Sequence, residues 1–385
     1  MMDQLESRFK EVFNNLYEHI YFAPGRVNLI GEHTDYNGGN VFPCAIDIGT
    51  YLVIRKRKDR KLCFYSDNFS KLNIIELNLD DLEYNEDHNW ANYPKGIFKM
   101  LKNQDMNTGF DLFYYGNIPN GAGLSSSASI EVVTALMLND VFELKYDIID
   151  LVKICQKTEN EYIGVNCGIM DQFAIGMGKD DHAILLDTNT LKYDYAPLKL
   201  GKHKLVVTNT NKKRGLADSK YNERREECEQ ALSIIQEYID VNTLGDLTAE
   251  QFESVKCHIN DNLLVKRSRH AVYENIRTKK AKAALELGDL DVFGNLMNES
   301  HVSLRDDYDV TGVELDTLVK LALQQDGVIG SRMTGAGFGG CTISIVKEDL
   351  IDTFRQNVEK KYTEIIGYEP TFYIVNVGAG ARKLK

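Results

Sequence analysis

The stretch from Tyr21 to Gly39 concentrates side chains that could do chemistry. Within nineteen residues it holds one arginine (Arg26), two carboxylates (Glu32 and Asp35), one histidine (His33) and four glycines. Glutamate and aspartate accept hydrogen bonds from hydroxyls, and arginine offers a rigid fork of donors to anionic oxygens. A ligand rich in hydroxyls and lying next to a phosphate would engage all of them. Neither a helical nor a strand period runs through the segment, so it reads as a strand end passing into a loop. Alone, Glu32-His33-Thr34-Asp35 reads better as a solvated loop with a turn at Asn37-Gly38-Gly39. Two later glycine-rich segments weigh against that.

The first runs from Asn117 through Gly121-Ala122-Gly123-Leu124-Ser125-Ser126-Ser127-Ala128 to Ser129. It follows an apolar strand pattern and opens a helical one. Glycines permit close backbone approach, and a helix N-terminus offers unpaired N–H groups to a polyphosphate. No Lys-Ser or Lys-Thr follows the last glycine, so this is not a Walker A loop. A tight turn with serine capping is the plainer alternative. The second segment, Met333 to Gly340, contains G-x-G-x-x-G at 335, 337 and 340. A dinucleotide fingerprint needs a helix after it. Cys341 to Val346 reads as a strand instead, so the loop is expected to pack against the active site.

The elements that must hold these loops follow from periodicity. Leu5, Phe9, Val12, Phe13 and Leu16 predict an amphipathic helix over 4–18. Strands are expected at 48–56, 61–66, 72–78 and from Phe110 to Tyr114. Trp90, Tyr93, Ile97 and Leu101 predict a helix with Pro94 in its first turn, where proline is tolerated. Helices follow at 127–139 and 148–163, strands at 182–187 and 204–209, and a largely helical stretch from 216 to 323. The tail reads as strand 327–332, glycine loop, strand 341–347, helix 349–362 and strand 371–377. This order lacks strict β-α alternation, so the expected class is α+β. Two domains are expected, 1–200 and 201–385, with the boundary at Leu198-Lys199-Leu200-Gly201.

Composition limits the function classes. The chain is 43% hydrophobic and 26% charged, which is ordinary globular material. A net charge of −12 without a long basic run argues against nucleic-acid and membrane-surface binding. Arg55-Lys56-Arg57-Lys58, the longest basic cluster, is expected to end a strand and face solvent. Seven scattered cysteines without a C-x-x-C pair argue for thiols in a cytoplasmic protein, not for a disulfide framework or a zinc site. No apolar run approaches the roughly 18 residues of a membrane span. With no coiled-coil or exposed apolar stripe, a monomer is expected.

Three segments together resemble the galactokinases of the GHMP small-molecule kinase superfamily. Pro24-Gly25-Arg26-Val27-Asn28-Leu29-Ile30-Gly31-Glu32-His33-Thr34-Asp35-Tyr36 looks like the galactokinase signature. Gly121 to Ala128 and Thr334 to Gly340 look like the superfamily's second and third motifs. The resemblance continues through Cys167 to Gln172, Ser219 to Arg225 and Ser300 to Tyr308, and so covers essentially the whole chain. It implies an N-terminal domain like ribosomal protein S5 domain 2, a ferredoxin-like C-terminal half and a site between them. It also implies transfer of the ATP γ-phosphoryl group to the anomeric hydroxyl of α-D-galactose.

By the same resemblance, Asp171 is the candidate catalytic base and Arg26 its charge-stabilising partner. A sugar hydroxyl is a weak acid, so a carboxylate within reach can take its proton as phosphorus is attacked. Arg26 would also favour ionised Asp171. Glu32, His33, Thr34, Asp35 and Tyr221 match sugar-binding positions, with His33 equally readable as a structural hydrogen bonder. Ser127 and Glu159 match Mg2+ positions, suited to a hard, oxygen-seeking ion. Trp90, Tyr93 and the run Gly121, Ala122, Gly123, Leu124, Ser125, Ser126 and Ser127 match the ATP site, with a buried core tryptophan as the alternative for Trp90, and Ser66 is expected to reach the nucleotide. The rival readings are a non-catalytic sugar sensor, a kinase for N-acetylgalactosamine, arabinose or another small hydroxyl compound, and an α+β protein whose glycine loops are merely turns.

Overall fold

In the computed structural model, which describes residues 1–104, 106–118, 123–212 and 217–385, the strands come early and late and the helices cluster in the middle. The strands are β1 His19–Asn28, β2 Asn40–Val41, β3 Pro43–Lys56, β4 Lys61–Ser66, β5 Ile75–Asn78, β6 Phe110–Gly116, β7 His182–Asp187, β8 Tyr193–Pro197, β9 His203–Asn209, β10 Val328–Thr334, β11 Cys341–Lys347, β12 Thr371–Val375 and β13 Arg382–Lys383. The helices are α1 Met2–Phe13, α2 Asn92–Leu101, α3 Ser126–Val141, α4 Ile148–Lys157, α5 Met170–Met177, α6 Ala217–Gln236, α7 Ala249–Val255, α8 Asn262–Leu287, α9 Leu290–Ser303, α10 Gly312–Ala322 and α11 Ile351–Ile366. This is the expected α+β class.

The strands form three sheets, ordered β13-β1-β3-β6-β4-β5, β10-β11-β9-β12 and β2-β7-β8. Pairing is antiparallel except between β4 and β6. Helices α2, α3 and α4 pack on the first sheet through Phe98, Ala128, Val132, Leu138, Leu151 and Cys155. A second core joins Val27, Leu29 and Phe42 of the first half to Leu205, Val207, Phe293, Ile343 and Val375 of the second. The two halves therefore share a core. The chain crosses from β8 to β9 at Leu198–Gly201, but residues 376–385 return to the first sheet. Asp47 N–H donates to the Asn376 carbonyl at 3.0 Å, Gly380 N–H to Gly178 at 2.8 Å, and β13 pairs with β1.

Several boundaries differ from those expected, each for a local reason. Helix α1 buries Leu5 and Phe9 but stops at Phe13, because Asn14 takes the left-handed conformation at φ 52° and leaves Leu16 73% exposed. Residues 67–72 form 3-10 turns, so the strand expected from 72 begins at Ile75. The helix expected over 148–163 widens into a π-helical turn, Thr158–Ile163, which ends at Gly164 with φ 87°. Strand β8, only five residues long and ending at Pro197, has too short an alternating pattern to be read from sequence. The basic cluster divides. Lys56 and Lys58 are exposed, whereas Arg55 and Arg57 reach inward to the buried carboxylate of Asp111 at 2.6 and 2.5 Å. Strand alternation sends successive side chains to opposite faces, and an unpaired buried carboxylate would be costly. Among the described residues no helix is long and apolar enough to cross a membrane.

Candidate active site

Arg26 lies near the end of β1, just after an irregularity. The β1–β3 register shifts between Pro24 and Arg26, where Ile46 leaves β1 to bridge Val377. Such irregularities re-aim side chains. Gly25 lets the strand approach the next loop closely: a Cβ there would sit 2.8 Å from the Leu124 carbonyl oxygen. Arg26 then forms a fork with Asp171, Nε to Oδ1 and Nη2 to Oδ2, both at 2.8 Å. Its Nη1 donates to the Gly123 carbonyl at 2.8 Å, and Ser125 Oγ donates to Asp171 Oδ2. Arg26 is buried, while the Asp171 side chain is 31% exposed to a cavity. Asp171 sits in the first turn of α5, so its position is that of a helix N-terminal carboxylate, but its oxygens face Arg26. The four lone-pair directions of the carboxylate receive three donors, leaving one on Oδ1 for a ligand.

That cavity, of about 320 Å3, is lined by Arg26, Glu32, His33, Asp35, Asp171 and Tyr221, with Met170, Asn222 and residues 164–168 and 335–337 completing its wall. Glu32 is 1% exposed. Asn28 Nδ2 donates to its Oε2, while Arg332 Nη1 and the Gly335 N–H donate to Oε1 at 3.2 and 2.7 Å. Here too one acceptor direction remains. Asp35 is held against the backbone of Gly168, and burial, then the charge of Asp171, pushes its carboxyl up to about 6. Tyr221 packs on His33 and Tyr36 with ring centroids 5.5 and 5.3 Å apart.

His33 and Thr34 serve the loop itself. His33 adopts φ 60°, and both of its ring nitrogens are used, by the Tyr36 hydroxyl at 2.8 Å and the Ala336 carbonyl at 3.1 Å. It presents only its ring to the cavity. Thr34 is fully buried; its hydroxyl lies 2.8 Å from the Gly31 carbonyl and 2.7 Å from that of Asn40. It closes the turn and does not line the cavity.

The start of α3 separates this cavity from a second groove. Ser125 takes φ 64° at the helix cap and bonds Asp171, while Ser126 and Ser127 line the groove. The groove, of about 160 Å3, is walled by Ser66, Asn68, Phe69, Trp90, Tyr93 and Tyr114. Trp90 stacks on Phe69 at 16° and meets Tyr114 edge-on; its buried Nε1–H has no acceptor among the described residues. Gly121 and Ala122, expected at the nucleotide, lie outside the described residues.

Behind Ser127 the site is rich in carboxyl groups. Glu159, in the π-helical turn, accepts from Gln172 Nε2 at 2.7 Å and from Ser127. Burial, then Asp171, pushes Glu159 up to about 7. Both carboxyl oxygens of Glu131 and the amide oxygen of Gln172 are buried without a donor. Burial pushes Glu131 well above the usual carboxylate range, and its protonated form would supply the donor that Gln172 lacks. Among the described residues no three His, Cys, Asp or Glu side chains cluster as a self-sufficient metal site. A hydroxyl beside an underneutralised carboxylate fits a hard cation whose remaining ligands come from a phosphate.

Sequence reasoning missed the supports. Arg332 is fully buried, donating to the Asn28 carbonyl, Glu32 and Ser300. Glu274 accepts from the Gly31 N–H at 2.9 Å and from Ser300, and His270 Nε2 lies 3.1 Å from the Glu32 carbonyl. Ser300 and Gly168 lay in segments already singled out, without a role. Glu274 and His270, mid-helix in α8, carried no signal.

Three family models match in chain order: the galactokinase galactose-binding signature over residues 7–56, the GHMP kinases N-terminal domain over 92–179 and the GHMP kinases C-terminal domain over 281–364. Galactokinase of Clostridium beijerinckii is 60% identical over 382 residues, 99% of this chain and 98% of that one. Galactokinase of Fusobacterium nucleatum is 58% identical over 389 residues, 100% of each. The crystal structure of Lactococcus lactis galactokinase complexed with galactose superposes with a TM-score of 0.96 at 50% identity, covering 100% of both chains. Methanococcus jannaschii mevalonate kinase, at 19% identity over 94% of this chain and 99% of its own, shares the fold with a TM-score of 0.68.

Proposed function

Since the chain belongs to the galactokinase family, we propose that the cavity beside Asp171 takes galactose and that Arg26 and Asp171 carry out the transfer. The protein is an ATP-dependent sugar kinase. It moves the γ-phosphoryl group of ATP to the C1 hydroxyl of α-D-galactose, giving galactose 1-phosphate and ADP, the entry of galactose into the Leloir pathway.

The observation that carries the site reading is the Arg26–Asp171 fork opening on a cavity that also holds Glu32, Asp35 and Tyr221. The sugar C1 hydroxyl would lie against the remaining acceptor direction of Asp171 Oδ1. As O1 bonds to the γ-phosphorus, its proton passes to Asp171 and the bond from phosphorus to the β,γ-bridging oxygen breaks, releasing ADP. Arg26 holds Asp171 in line and sets a positive charge beside the equatorial phosphoryl oxygens. Glu32 and Asp35 accept from the other sugar hydroxyls with charge-assisted bonds, and Tyr221 backs the ring. His33 and Thr34 shape the loop.

The aromatic groove takes the adenine end of ATP, with Trp90, Tyr93 and Ser66 at its wall and the loop Gly121–Ser127 on the phosphates. Ser127 and Glu159 would hold Mg2+, which neutralises phosphate charge when bound. The thiols of Cys44, Cys63, Cys155, Cys167, Cys228 and Cys257 fit the cytoplasm.

The test is ADP release with MgATP and, separately, D-galactose, N-acetylgalactosamine, D-glucose and L-arabinose, with Asp171→Ala alongside. Galactose-dependent ADP that disappears in the variant is expected. Turnover that persists in the variant would remove Asp171 from the chemistry.

A further inference from the structure

Three of the bonds around His33 belong to one chain of contacts that leads away from the cavity. The Tyr36 hydroxyl, 2.8 Å from His33 Nδ1, is also 2.8 Å from the Tyr308 hydroxyl, and Tyr308 lies 3.2 Å from the Cys228 thiol. Tyr308 is fully buried, ends the π-helical turn Leu304–Tyr308 and packs on His33 and His270. Neither tyrosine lines the cavity.

The direction of every bond is fixed. The Ala336 carbonyl can only accept, so His33 Nε2 carries the proton. Burial keeps the ring neutral, lowering its pKa to about 3. Nδ1 is therefore bare and must accept the Tyr36 proton. Tyr36, its one proton used, must accept from Tyr308. The Tyr308 oxygen is then left to accept from its neighbours Cys228 and Asn37.

The far end of this chain matters because of where it stops. The glycine loop 335–337 forms one wall of the sugar cavity. On its inner side it is held by Glu32, through the Gly335 N–H, and by His33, through Ala336. On its outer side the Phe338 N–H donates to the Val310 carbonyl at 2.7 Å, two residues beyond Tyr308. The Tyr36–Tyr308 hydroxyl pair thus joins the two clamps on the loop. His33 and Phe338, at φ 60° and 57°, hold left-handed conformations that these contacts must maintain.

We propose that Tyr36 and Tyr308 are positioning residues for galactose: their hydroxyl relay locks His33 as the Nε2–H tautomer and so fixes the 335–337 loop over the sugar. The proposal rests on the cavity being the galactose site.

Tyr36→Phe and Tyr308→Phe each remove one hydroxyl and keep the ring. Each should raise the galactose KM by roughly threefold to tenfold, the effect of one buried hydrogen bond, with the MgATP KM within about twofold of wild type. Because the groups act in series, the double variant should be no worse than the more affected single variant. Nitrogen-15 NMR of labelled histidine should show His33 with a pyridine-type Nδ1 in the wild type, and with that tautomer preference weakened in Tyr36→Phe. An Nδ1–H tautomer, a charged ring at neutral pH, an unchanged galactose KM in Tyr36→Phe, or additive effects in the double variant would each overturn the relay. A wild type that turns over no galactose would instead overturn the site reading, and the tautomer measurement would still decide the relay.

Discussion

A methyl group on Gly168 would sit 1.9 Å from Oδ2 of Asp35. The carboxylate that faces the cavity beside Asp171 is seated on a backbone that cannot carry a side chain, although the two residues are far apart in sequence. Gly168→Ala should therefore turn Asp35 away while leaving the fold intact. The galactose KM should rise roughly tenfold to a hundredfold, as expected for a lost charge-assisted bond. The MgATP KM and the thermal midpoint should hardly change. Steady-state kinetics with each substrate varied in turn would check this; an unchanged galactose KM would mean that Asp35 does not contact the sugar.

Asp171→Asn keeps a hydrogen-bonding group of the same shape but cannot take a proton. If Asp171 acts as the base, kcat should fall by about 10²–10⁴. If it chiefly orients the hydroxyl, the variant should keep kcat within about tenfold. Galactose-binding calorimetry beside kcat separates loss of chemistry from loss of binding.

The Asp35 pKa, raised to about 6 by burial and by Asp171, sets a pH dependence. Its unfolded value lies lower, so the folded protein holds the proton more tightly. The ionised carboxylate opposes folding above about pH 6, and this penalty fades as the pH falls towards the unfolded value near 4. Asp35→Asn should stabilise the ligand-free protein by ~1–2 kcal/mol at pH 8 and by almost nothing near pH 4. Urea unfolding at the two pH values tests the sign. In the native protein, the galactose KM should rise as the pH drops through about 6, because the charged acceptor is lost.

Trp90 is the only tryptophan in the chain, and it lies on the wall of the aromatic groove. Its emission should change on addition of ATP, saturably, and should stay constant with galactose alone. Trp90→Leu should raise the ATP KM by about tenfold or less, through lost stacking area. An emission change with galactose alone would place the sugar nearer this groove than the cavity lining implies.

Glu159→Gln should raise the Mg2+ concentration for half-maximal activity about tenfold to a hundredfold, with the galactose KM little altered. A Mg2+ titration at saturating galactose reads this directly. An unchanged requirement would remove Glu159 from the metal site.

Much of the fold was legible because strand and helix periods are local. Pro94, the glycine loops and the apolar stripe of Leu5 and Phe9 each mark their element within a few residues. Some of the misses were local as well. Asn14 ended α1 despite the apolar Leu16, and the five-residue β8 was too short for its alternation to stand out. Arg55 and Arg57 looked like a solvated basic run because Asp111, which they neutralise, is more than fifty residues away.

The sequence by itself determined the reactive inventory and the family. The Arg26–Tyr36 signature and the two later motifs keep their residues contiguous, since a loop that grips one ligand must carry its donors and acceptors on one short stretch of backbone. Only the tertiary structure decided which of those groups remain available. It joined Arg26 to Asp171 across 145 residues, brought Arg332 and Glu274 to support the Glu32 loop, and used both nitrogens of His33 within the protein. Hydrogen-bond capacity is finite, so whether a side chain serves the ligand or the scaffold depends on neighbours that only folding supplies.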